Sequence, residues 1–284
     1  MILRSLLFVP GDRPDRIQKA LRCGADAVII DLEDSVAAEH KTEARNAAAT
    51  ALAKPNRVTP ILVRINPLDC YLATLDLDAI TNVQPDGIVL PKAEGARSIQ
   101  TLSAHLSSRG NEEVRILPIV TETPAAIFRL GEYADVAQRL FGLTWGAEDL
   151  PAAIGAATSR EPDGSYTPPY QLARSLTLFA AAAATVEPIE TVFPDFRDKA
   201  GLAAYASRAA RDGFTGMMAI HPAQVDTIHA AFSPSETAIA EALAVVAAFE
   251  ANPGSGALAV HGRMVDAPHL RQARRVLSRI VAGL

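Results

Sequence analysis

Residues 117–150 decide how the chain folds, and they read LPIVTETPAAIFRLGEYADVAQRLFGLTWGAEDL. A first apolar run begins at Leu117 and ends on Glu122, and a second, one predicted helix later, ends on Glu148 and Asp149. Both runs predict buried strands, and each strand delivers a carboxylate at its carboxyl end. Parallel strands of an α/β enzyme place these ends at one face, where carboxylates can hold a divalent metal ion.

The same pattern, an apolar run stopped by polar or turn residues, repeats along the chain. Besides the two runs above, strands are predicted at residues 6–10, 26–30, 61–65, 87–90, 189–193 and 217–220. The runs are mostly continuous rather than alternating, which indicates strands covered on both faces. Helical patterns lie between most of them, which favours right-handed parallel crossovers.

About eight strand and helix units in roughly 230 residues fit a closed barrel. The predicted fold is therefore an α/β protein with a TIM (β/α)8 barrel over residues 1–232. An open doubly wound sheet is the alternative, although no Gly-x-Gly-x-x-Gly turn follows the first strand to support it.

Residues 233–284 form a tail that is too small for an independent domain. Its pattern predicts an Ala-rich helix at 234–250, a linker at 252–256, an apolar segment at 257–265 and a last helix from Pro268. We expect either a helical lid on the barrel or an oligomerisation arm that packs on a neighbouring subunit.

The composition predicts a globular protein with a sizeable core, since 49% of the 284 residues are hydrophobic and 21% are charged. The net charge of -5 argues against a nucleic-acid or anionic-membrane surface, because no basic excess can neutralise phosphates. Cys23 and Cys70 match neither a disulfide framework nor a zinc spacing, which favours a reducing compartment. Residues 6–10 are too short for a signal segment, and the longest apolar run, 176–186, is well below the roughly 20 residues of a membrane span. We expect a cytoplasmic protein.

Charged side chains stand at the ends of five predicted strands, namely Glu33, Arg64, Lys92, Glu122 and Asp149. In a barrel all five surround one mouth. A single strand-end charge is as readily a structural salt bridge, but five together favour a functional site. Glu122 and Asp149 predict a Mg²⁺ site, because Mg²⁺ takes one or two carboxylates and leaves its other positions to water and substrate. No histidine lies near either residue in the sequence, which argues against zinc.

Arg64 keeps its proton at physiological pH, so its use in an active site is to hold a carboxylate or stabilise a developing oxyanion. A metal and an arginine around an oxygen-rich ligand indicate carbonyl chemistry through an enolate. Asp31, Glu33 and Asp34 have two open interpretations: they orient Arg64 and water on the metal, or they cap the following helix. For His221, at another strand end, we favour a structural role.

Seven short motifs occur in order along the chain: LFVPG at 7–11, DLEDSV at 31–36, VRIN at 63–66, LPK at 90–92, ETP at 122–124, GAEDL at 146–150 and AIHP at 219–222. Together they resemble the citrate lyase β-subunit-like branch of the HpcH/HpaI aldolase superfamily, over nearly the whole chain. The resemblance implies a TIM barrel whose Mg²⁺ is held by Glu122 and Asp149 and whose Arg64 binds the reacting oxygens. It also implies an acyl-thioester substrate, usually a coenzyme A ester, joined to or cleaved from a 2-oxo acid at the carbon alpha to the thioester.

The resemblance also gives the tail a role. In the malyl-CoA and citramalyl-CoA lyases of this family, a C-terminal lid carries an aspartate into the neighbouring subunit's site, and MVDAP at 264–268 is similar to that segment. The resemblance thus implies that Asp266 moves a proton at the acetyl carbon and that the protein is a homotrimer or hexamer. The residues alone indicate only a helix N-cap at Asp266.

A coenzyme A thioester carries phosphates that need positive charge at the barrel mouth. Four basic residues follow the first two predicted strands and are candidate contacts: Arg16, Lys19, Lys41 and Arg45. A basic residue at such a position is more often simply a solvated helix residue.

Two other functions stay open. One is the β subunit of a multi-subunit citrate lyase, whose thioester is attached to an acyl-carrier protein. The other is a barrel without catalysis that serves as a binding module, against which the set of Arg64, Glu122, Asp149 and Asp266 argues. Malyl-CoA, citramalyl-CoA and citryl-CoA are all compatible substrates, and a lyase, a synthase and a thioesterase are compatible reactions.

Overall fold

The computed structural model describes residues 2–280, which divide into two compact units. The larger unit is Leu3–Ile228, and the smaller contains Ile2 and residues 229–280. The boundary expected after residue 232 lies at the end of the helix Val225–Phe232, whereas the division of the structure falls within that helix.

Eight parallel strands form the larger unit. Numbered β1 to β8 in chain order, they span Ser5–Pro10, Ala27–Asp31, Ile61–Arg64, Gly87–Leu90, Arg115–Pro118, Gly142–Thr144, Glu187–Glu190 and Gly216–Ala219. They pair in the order β5-β4-β3-β2-β1-β8-β7-β6. Two isolated parallel bridges, Ile116 to Leu140 and Ile119 to Thr144, connect β5 to β6. The predicted TIM barrel is confirmed.

Helices connect the strands and cover them. The α-helices α1 to α9 span Pro14–Ala20, Lys41–Leu52, Tyr71–Ile80, Ala96–Ser107, Pro124–Ile127, Asp149–Ile154, Pro168–Ala184, Lys199–Asp212 and Val225–Phe232. Short 3-10 segments add Ala38–His40, Thr81–Val83, Leu130–Arg139 and Pro222–Gln224. The prediction of a single helix between β5 and β6 is wrong. The connection consists of the four-residue α5 followed by a 3-10 segment with non-helical backbone at Val136.

Both faces of the strands are buried, as the continuous apolar runs predict. One set of alternating strand residues forms an apolar cluster: Leu6, Ala27, Ile29, Leu62, Val89, Leu117, Ile119, Ile189 and Met218. The intervening residues, such as Val28, Ile30 and Ile88, are fully buried as well. A strand buried on both faces leaves only its ends for polar groups, which concentrates function at the strand ends.

The smaller unit contains two helices and a hairpin. Helix α10 spans Glu236–Ala251, strands β9 and β10 span Ala257–Val260 and Arg263–Asp266, and helix α11 spans Ala267–Leu277. The antiparallel hairpin replaces the single apolar segment expected at 257–265. Its two connecting residues, His261 and Gly262, both have positive φ, the backbone that a tight two-residue hairpin turn requires.

One stretch of the described residues, Pro222–Ala251, is long and apolar enough to cross a membrane by length and composition alone, with a mean hydropathy of 1.2. Residues 233–235 interrupt it, so that α9 has 8 residues and α10 has 16. Each is shorter than the roughly 20 residues that a spanning helix needs.

Candidate active site

The barrel brings the predicted strand-end residues together. We name the following group the strand-end cluster: Asp31, Glu33, Arg64, Lys92, Glu122 and Asp149. Arg64 ends β3, while Asp149 begins α6 just after β6. Glu122 lies beyond the last residue of β5, Pro118, in a segment that stays buried after the regular ladder ends.

Arg64 is clamped by two carboxylates. Its Nε and Nη2 donate to the two carboxylate oxygens of Asp31, each at 2.7 Å, and its Nη1 lies 3.0 Å from Oε2 of Glu33. The centroid of the Phe8 ring lies 5.0 Å from the guanidinium carbon, and this cation–π contact stabilises the positive charge of Arg64. Burial alone would raise the pKa of Asp31, but the hydrogen bonds and charge of Arg64 outweigh it and the pKa is lowered. Arg64 is therefore held rigidly by its bidentate edge.

Asp31 also organises the turn after β2. Its carboxylate accepts hydrogen bonds from the backbone N–H groups of Glu33 and Ser35, at 3.0 and 3.2 Å. Of the two interpretations open for the acidic group that follows β2, orientation of Arg64 belongs to Asp31 and Glu33, whereas Asp34 is exposed.

Glu122 is buried among like charges. Burial is the main reason that its pKa is raised to about 8, the negative charges of Glu33 and Asp149 add to this, and a hydrogen bond from the Lys92 backbone N–H at 2.6 Å opposes it. Gly146 leaves the space that the carboxylate fills, because a Cβ there would lie 3.0 Å from Cγ of Glu122. The side chain is thus fixed in place while its negative charge is poorly compensated.

Lys92 supplies the second cation of the cluster. Its Nζ lies 3.5 Å from Oε1 of Glu33 and 3.9 Å from Oδ1 of Asp149. Partial burial would lower the pKa of Lys92, but these two carboxylates raise it. The backbone of Lys92 has a φ of +50°, an uncommon conformation for a side-chain-bearing residue, and its N–H points at Glu122. Burial raises the pKa of Glu33 to about 7, although Arg64 and Lys92 oppose this.

The charges of the strand-end cluster do not balance. Four carboxylates face two cations, so two negative charges are uncompensated when every carboxylate is ionised. A divalent cation would supply the missing positive charge. Among residues 2–280, no set of three or more His, Cys, Asp or Glu side chains is placed to hold a metal ion. The donor set therefore fits Mg²⁺, which needs only one or two carboxylates, better than a metal that needs a full protein shell.

The four basic residues predicted as coenzyme A contacts divide into two pairs. Lys41 is buried and donates to the backbone oxygens of Leu32 and Glu33, each at 2.7 Å, and buried Arg45 donates through Nε to Asp76 at 2.7 Å. Both side chains thus have partners within the protein, and their expected contact with coenzyme A stays a prediction. The other pair, Arg16 and Lys19, is exposed on α1, where Lys19 lies 3.7 Å from Asp15.

Asp266 is the N-cap of α11, as the residues alone indicate. It accepts from the backbone N–H of His269, and its Oδ1 lies 2.6 Å from Nδ1 of the same histidine. This bonding lowers the pKa of the exposed carboxyl group. His221, the other polar residue weighed at a strand end, accepts from the N–H of Ala223 and stacks on Phe196 with ring centroids 4.5 Å apart.

Two supporting contacts of the cluster escape sequence reasoning. The backbone N–H of Lys92 is invisible in a residue pattern, although its place after Leu90-Pro91 marks a turn where unusual φ is expected. Gly146 carries a stronger signal, because a glycine directly after a buried strand indicates a close approach by another group.

The chain is similar to known proteins over most of its length. The family model described as HpcH/HpaI aldolase/citrate lyase matches residues 4–222. The citrate lyase subunit beta of Escherichia coli (strain K12) is 34% identical over 97% of this chain and 92% of its own length. The human mitochondrial citramalyl-CoA lyase is 33% identical over 97% of this chain and 84% of its own length.

A solved structure is similar over almost the whole chain. The crystal structure of a Mycobacterium tuberculosis protein, CitE, in complex with magnesium, acetoacetate and coenzyme A has a TM-score of 0.83 and 35% identity, covering 98% of each chain. On the family match and these full-length similarities, the chain belongs to the HpcH/HpaI aldolase/citrate lyase family.

Proposed function

We propose that this protein is a Mg²⁺-dependent carbon–carbon lyase that acts on a 3-hydroxyacyl-CoA thioester of the malyl-CoA, citramalyl-CoA or citryl-CoA type. It yields acetyl-CoA and a 2-oxo acid, or performs the reverse condensation. The observation that carries the proposal is the strand-end cluster, in which a clamped arginine lies beside carboxylates whose charge is not balanced. The citramalyl-CoA lyase relative and the neighbour with magnesium, acetoacetate and coenzyme A support the substrate class.

In this proposal Glu122 and Asp149 hold the metal ion. When bound, Mg²⁺ polarises the oxygens of the 2-oxo-acid half of the substrate. Glu122 has its place fixed by the Lys92 N–H and by the space at Gly146, so its carboxylate needs little reorganisation to act as a ligand. Lys92 has its Nζ near Asp149, where it offsets part of the negative charge of the cluster.

Arg64 stabilises the negative oxygens of the reaction. In cleavage the hydroxyl group gives its proton to solvent water and becomes the carbonyl of the 2-oxo acid. The carbon–carbon bond breaks, and its electron pair passes to the thioester as an enolate, whose oxygen needs a donor. The Nε and Nη2 of Arg64 already donate to Asp31, and Nη1 lies 3.0 Å from Oε2 of Glu33. The N–H groups left for substrate are therefore the second one on Nη2 and the one on Nη1 that does not face Glu33. Asp31 fixes their direction, because the bidentate pair locks the plane of the guanidinium.

Asp266 moves the proton at the acetyl carbon. The lowered pKa keeps this carboxyl group ionised near neutral pH, which is the form that takes a proton from acetyl-CoA in the condensing direction. Cleavage requires the protonated form instead, and leaving the contact with His269 would raise its pKa toward the usual value. We place Asp266 in the site of a neighbouring subunit of a homotrimer or hexamer.

A second candidate function is the β subunit of a multi-subunit citrate lyase that uses a thioester on an acyl-carrier protein, since the Escherichia coli relative is such a subunit by name. The two candidates share the strand-end cluster and differ in what carries the acyl group. A barrel without catalysis is disfavoured, because a module that only binds has no need of buried carboxylates with uncompensated charge.

The test is to assay the purified protein with Mg²⁺ against malyl-CoA, citramalyl-CoA and citryl-CoA, following both acetyl-CoA and the 2-oxo acid. Cleavage of one of the free coenzyme A esters is the expected result. Activity only with the thioester on an acyl-carrier protein would favour the second candidate. Release of free coenzyme A without a 2-oxo acid would indicate a thioesterase, and no activity on any of these thioesters would contradict the proposal.

A further inference from the structure

A second buried carboxylate lies behind the strands, outside the strand-end cluster. Glu190, the last residue of β7, is fully buried. Its Oε1 accepts from the indole N–H of Trp145, from the hydroxyl of Tyr205 at 2.8 Å and from the N–H of Thr191 at 2.9 Å, and its Oε2 accepts from Nε of Arg174 at 2.7 Å. The reaction proposed above does not use this group.

The three side-chain donors come from three different parts of the chain. Arg174 is on α7, Tyr205 is on α8, and Trp145 is the residue directly after β6. Of these, only Trp145 belongs to the loop of residues 145–148 that leads to Asp149 at the start of α6. Glu190 thus connects the helix layer to the loop that carries a proposed metal ligand.

The same loop is fixed again one residue later. The N–H of Gly146 donates to Oγ1 of Thr121 at 3.1 Å, and the Thr121 hydroxyl donates back to the Gly146 oxygen at 2.9 Å. Thr121 precedes Glu122, and Gly146 lies against the Glu122 side chain. A shift of Trp145 would therefore be transmitted through Gly146 to Glu122, and along the chain to Asp149.

Aromatic packing completes the enclosure of Trp145. The Tyr166 ring meets the Trp145 ring edge-on, with ring centroids 5.0 Å apart. The guanidinium carbon of Arg160 lies 4.1 Å from the centroid of the Tyr166 ring, and Nη2 of Arg160 donates to the Tyr166 hydroxyl. Trp145 and Glu190 are both fully buried, so water cannot replace the hydrogen bond between them. The hydrogen bond to Glu190 therefore fixes the indole N–H, while Tyr166 packs against the ring.

We propose that Glu190 is a positioning residue for the metal centre, and that it acts through Trp145 to hold Asp149 and Glu122 at the spacing that a divalent cation needs. The inference rests on the proposed function, because it assigns Glu122 and Asp149 as metal ligands. A carboxylate suits this role, since all four groups around it are donors, whereas the NH₂ of a glutamine would face the N–H of Arg174.

The experiment compares two variants that each remove one donor to the same carboxylate oxygen. Trp145→Phe removes the donor in the loop of residues 145–148, which leads to Asp149. Tyr205→Phe removes a donor on α8, outside that loop. The dissociation constant of Mn²⁺, used as the probe ion for the full-length protein, is measured by calorimetry or electron paramagnetic resonance. We expect it to rise about tenfold in Trp145→Phe and to stay at the wild-type value in Tyr205→Phe.

Equal affinities in the two variants, whether both weakened or both unchanged, would overturn the inference, because Glu190 would then serve stability alone. If Trp145→Phe does not fold, Glu190→Gln decides: we expect weaker Mn²⁺ binding together with faster hydrogen exchange of the amides of residues 145–149, and wild-type values for both would overturn the inference. Failure of the proposed function looks different, since the wild-type protein would then bind no Mn²⁺ or would bind it equally well with Glu122→Ala.

Discussion

Two groups of charged residues in the larger unit differ in charge balance. Around Glu190, the carboxylates of buried Glu190 and exposed Asp212 are matched by Arg174 and the exposed Arg211, with contacts between 2.7 and 2.9 Å. In the strand-end cluster, four carboxylates share two cations and the pKa values of Glu33 and Glu122 are raised. A balanced cluster stabilises one arrangement, whereas an unbalanced cluster with buried carboxylates costs stability and indicates where a charged ligand binds.

The largest effect is expected when a carboxylate of the strand-end cluster is removed. Glu122→Ala and Asp149→Ala should each lower lyase activity to background with the fold intact, because each removes a proposed metal ligand. Steady-state assays with Mg²⁺ and circular dichroism check this result, and Glu148→Ala, an exposed carboxylate beside Asp149, is the matched control that should retain activity. Full wild-type activity in excess chelator would contradict the proposal that Glu122 and Asp149 hold an essential metal ion.

Arg64→Lys tests whether geometry or charge matters at the strand ends. We expect it to be nearly as damaging as Arg64→Ala, with a loss of roughly 100-fold or more, because a lysine cannot keep the bidentate pair with Asp31 and the contact with Glu33 at once. Kinetics on both variants decide the matter. Arg45→Lys is the control, since that buried arginine bonds Asp76 outside the cluster and its loss should affect stability rather than turnover. A lysine variant at position 64 within a few-fold of wild type would mean that only charge is needed.

Mixing two inactive variants tests the proposed role of the tail. Asp266→Ala and Glu122→Ala, expressed together, should recover up to about a quarter of wild-type activity if random mixed oligomers form and each site combines a barrel with a neighbour's Asp266. The assay is run on the co-purified mixture after sizing. No recovery despite proven subunit mixing would place Asp266 in its own subunit's site or outside the chemistry.

The smallest expected effect concerns pH and the stability of metal-free protein. The pKa of Glu122 is raised from 4.5 to about 8, so its neutral form is favoured by folding and the stability it gives is lost as the pH rises through about 8. The melting temperature of chelated wild-type protein should therefore fall by a few degrees more between pH 5 and pH 8 than that of Glu122→Gln. Thermal melts of both proteins measure the difference. Identical pH profiles would mean that folding does not raise the pKa of Glu122.

The sequence predicts the barrel well because strands buried on both faces leave a plain apolar pattern, and it predicts which strand ends are charged. Strand limits are less accurate: the apolar run after β5 continues through Ile119 and Val120, yet the regular ladder ends at Pro118. The hairpin of the smaller unit was missed because its strands are exposed and short, although the His261-Gly262 pair is a recognisable turn signal. The sequence does not show that Lys41 and Arg45 are buried, because burial of a long basic side chain depends on partners distant in sequence, such as Asp76.

A metal ion at the proposed site would also stabilise the closure of the barrel. Regular pairing runs through the sheet except between β5 and β6, where two isolated bridges hold the seam. Glu122 follows β5 and Asp149 follows β6. An ion bound by both residues would therefore connect the two neighbouring strands whose backbone pairing is least regular. Loss of the ion should then loosen the seam first, and the amides of residues 115–120 and 142–146 should exchange with solvent faster than those of β1 and β2.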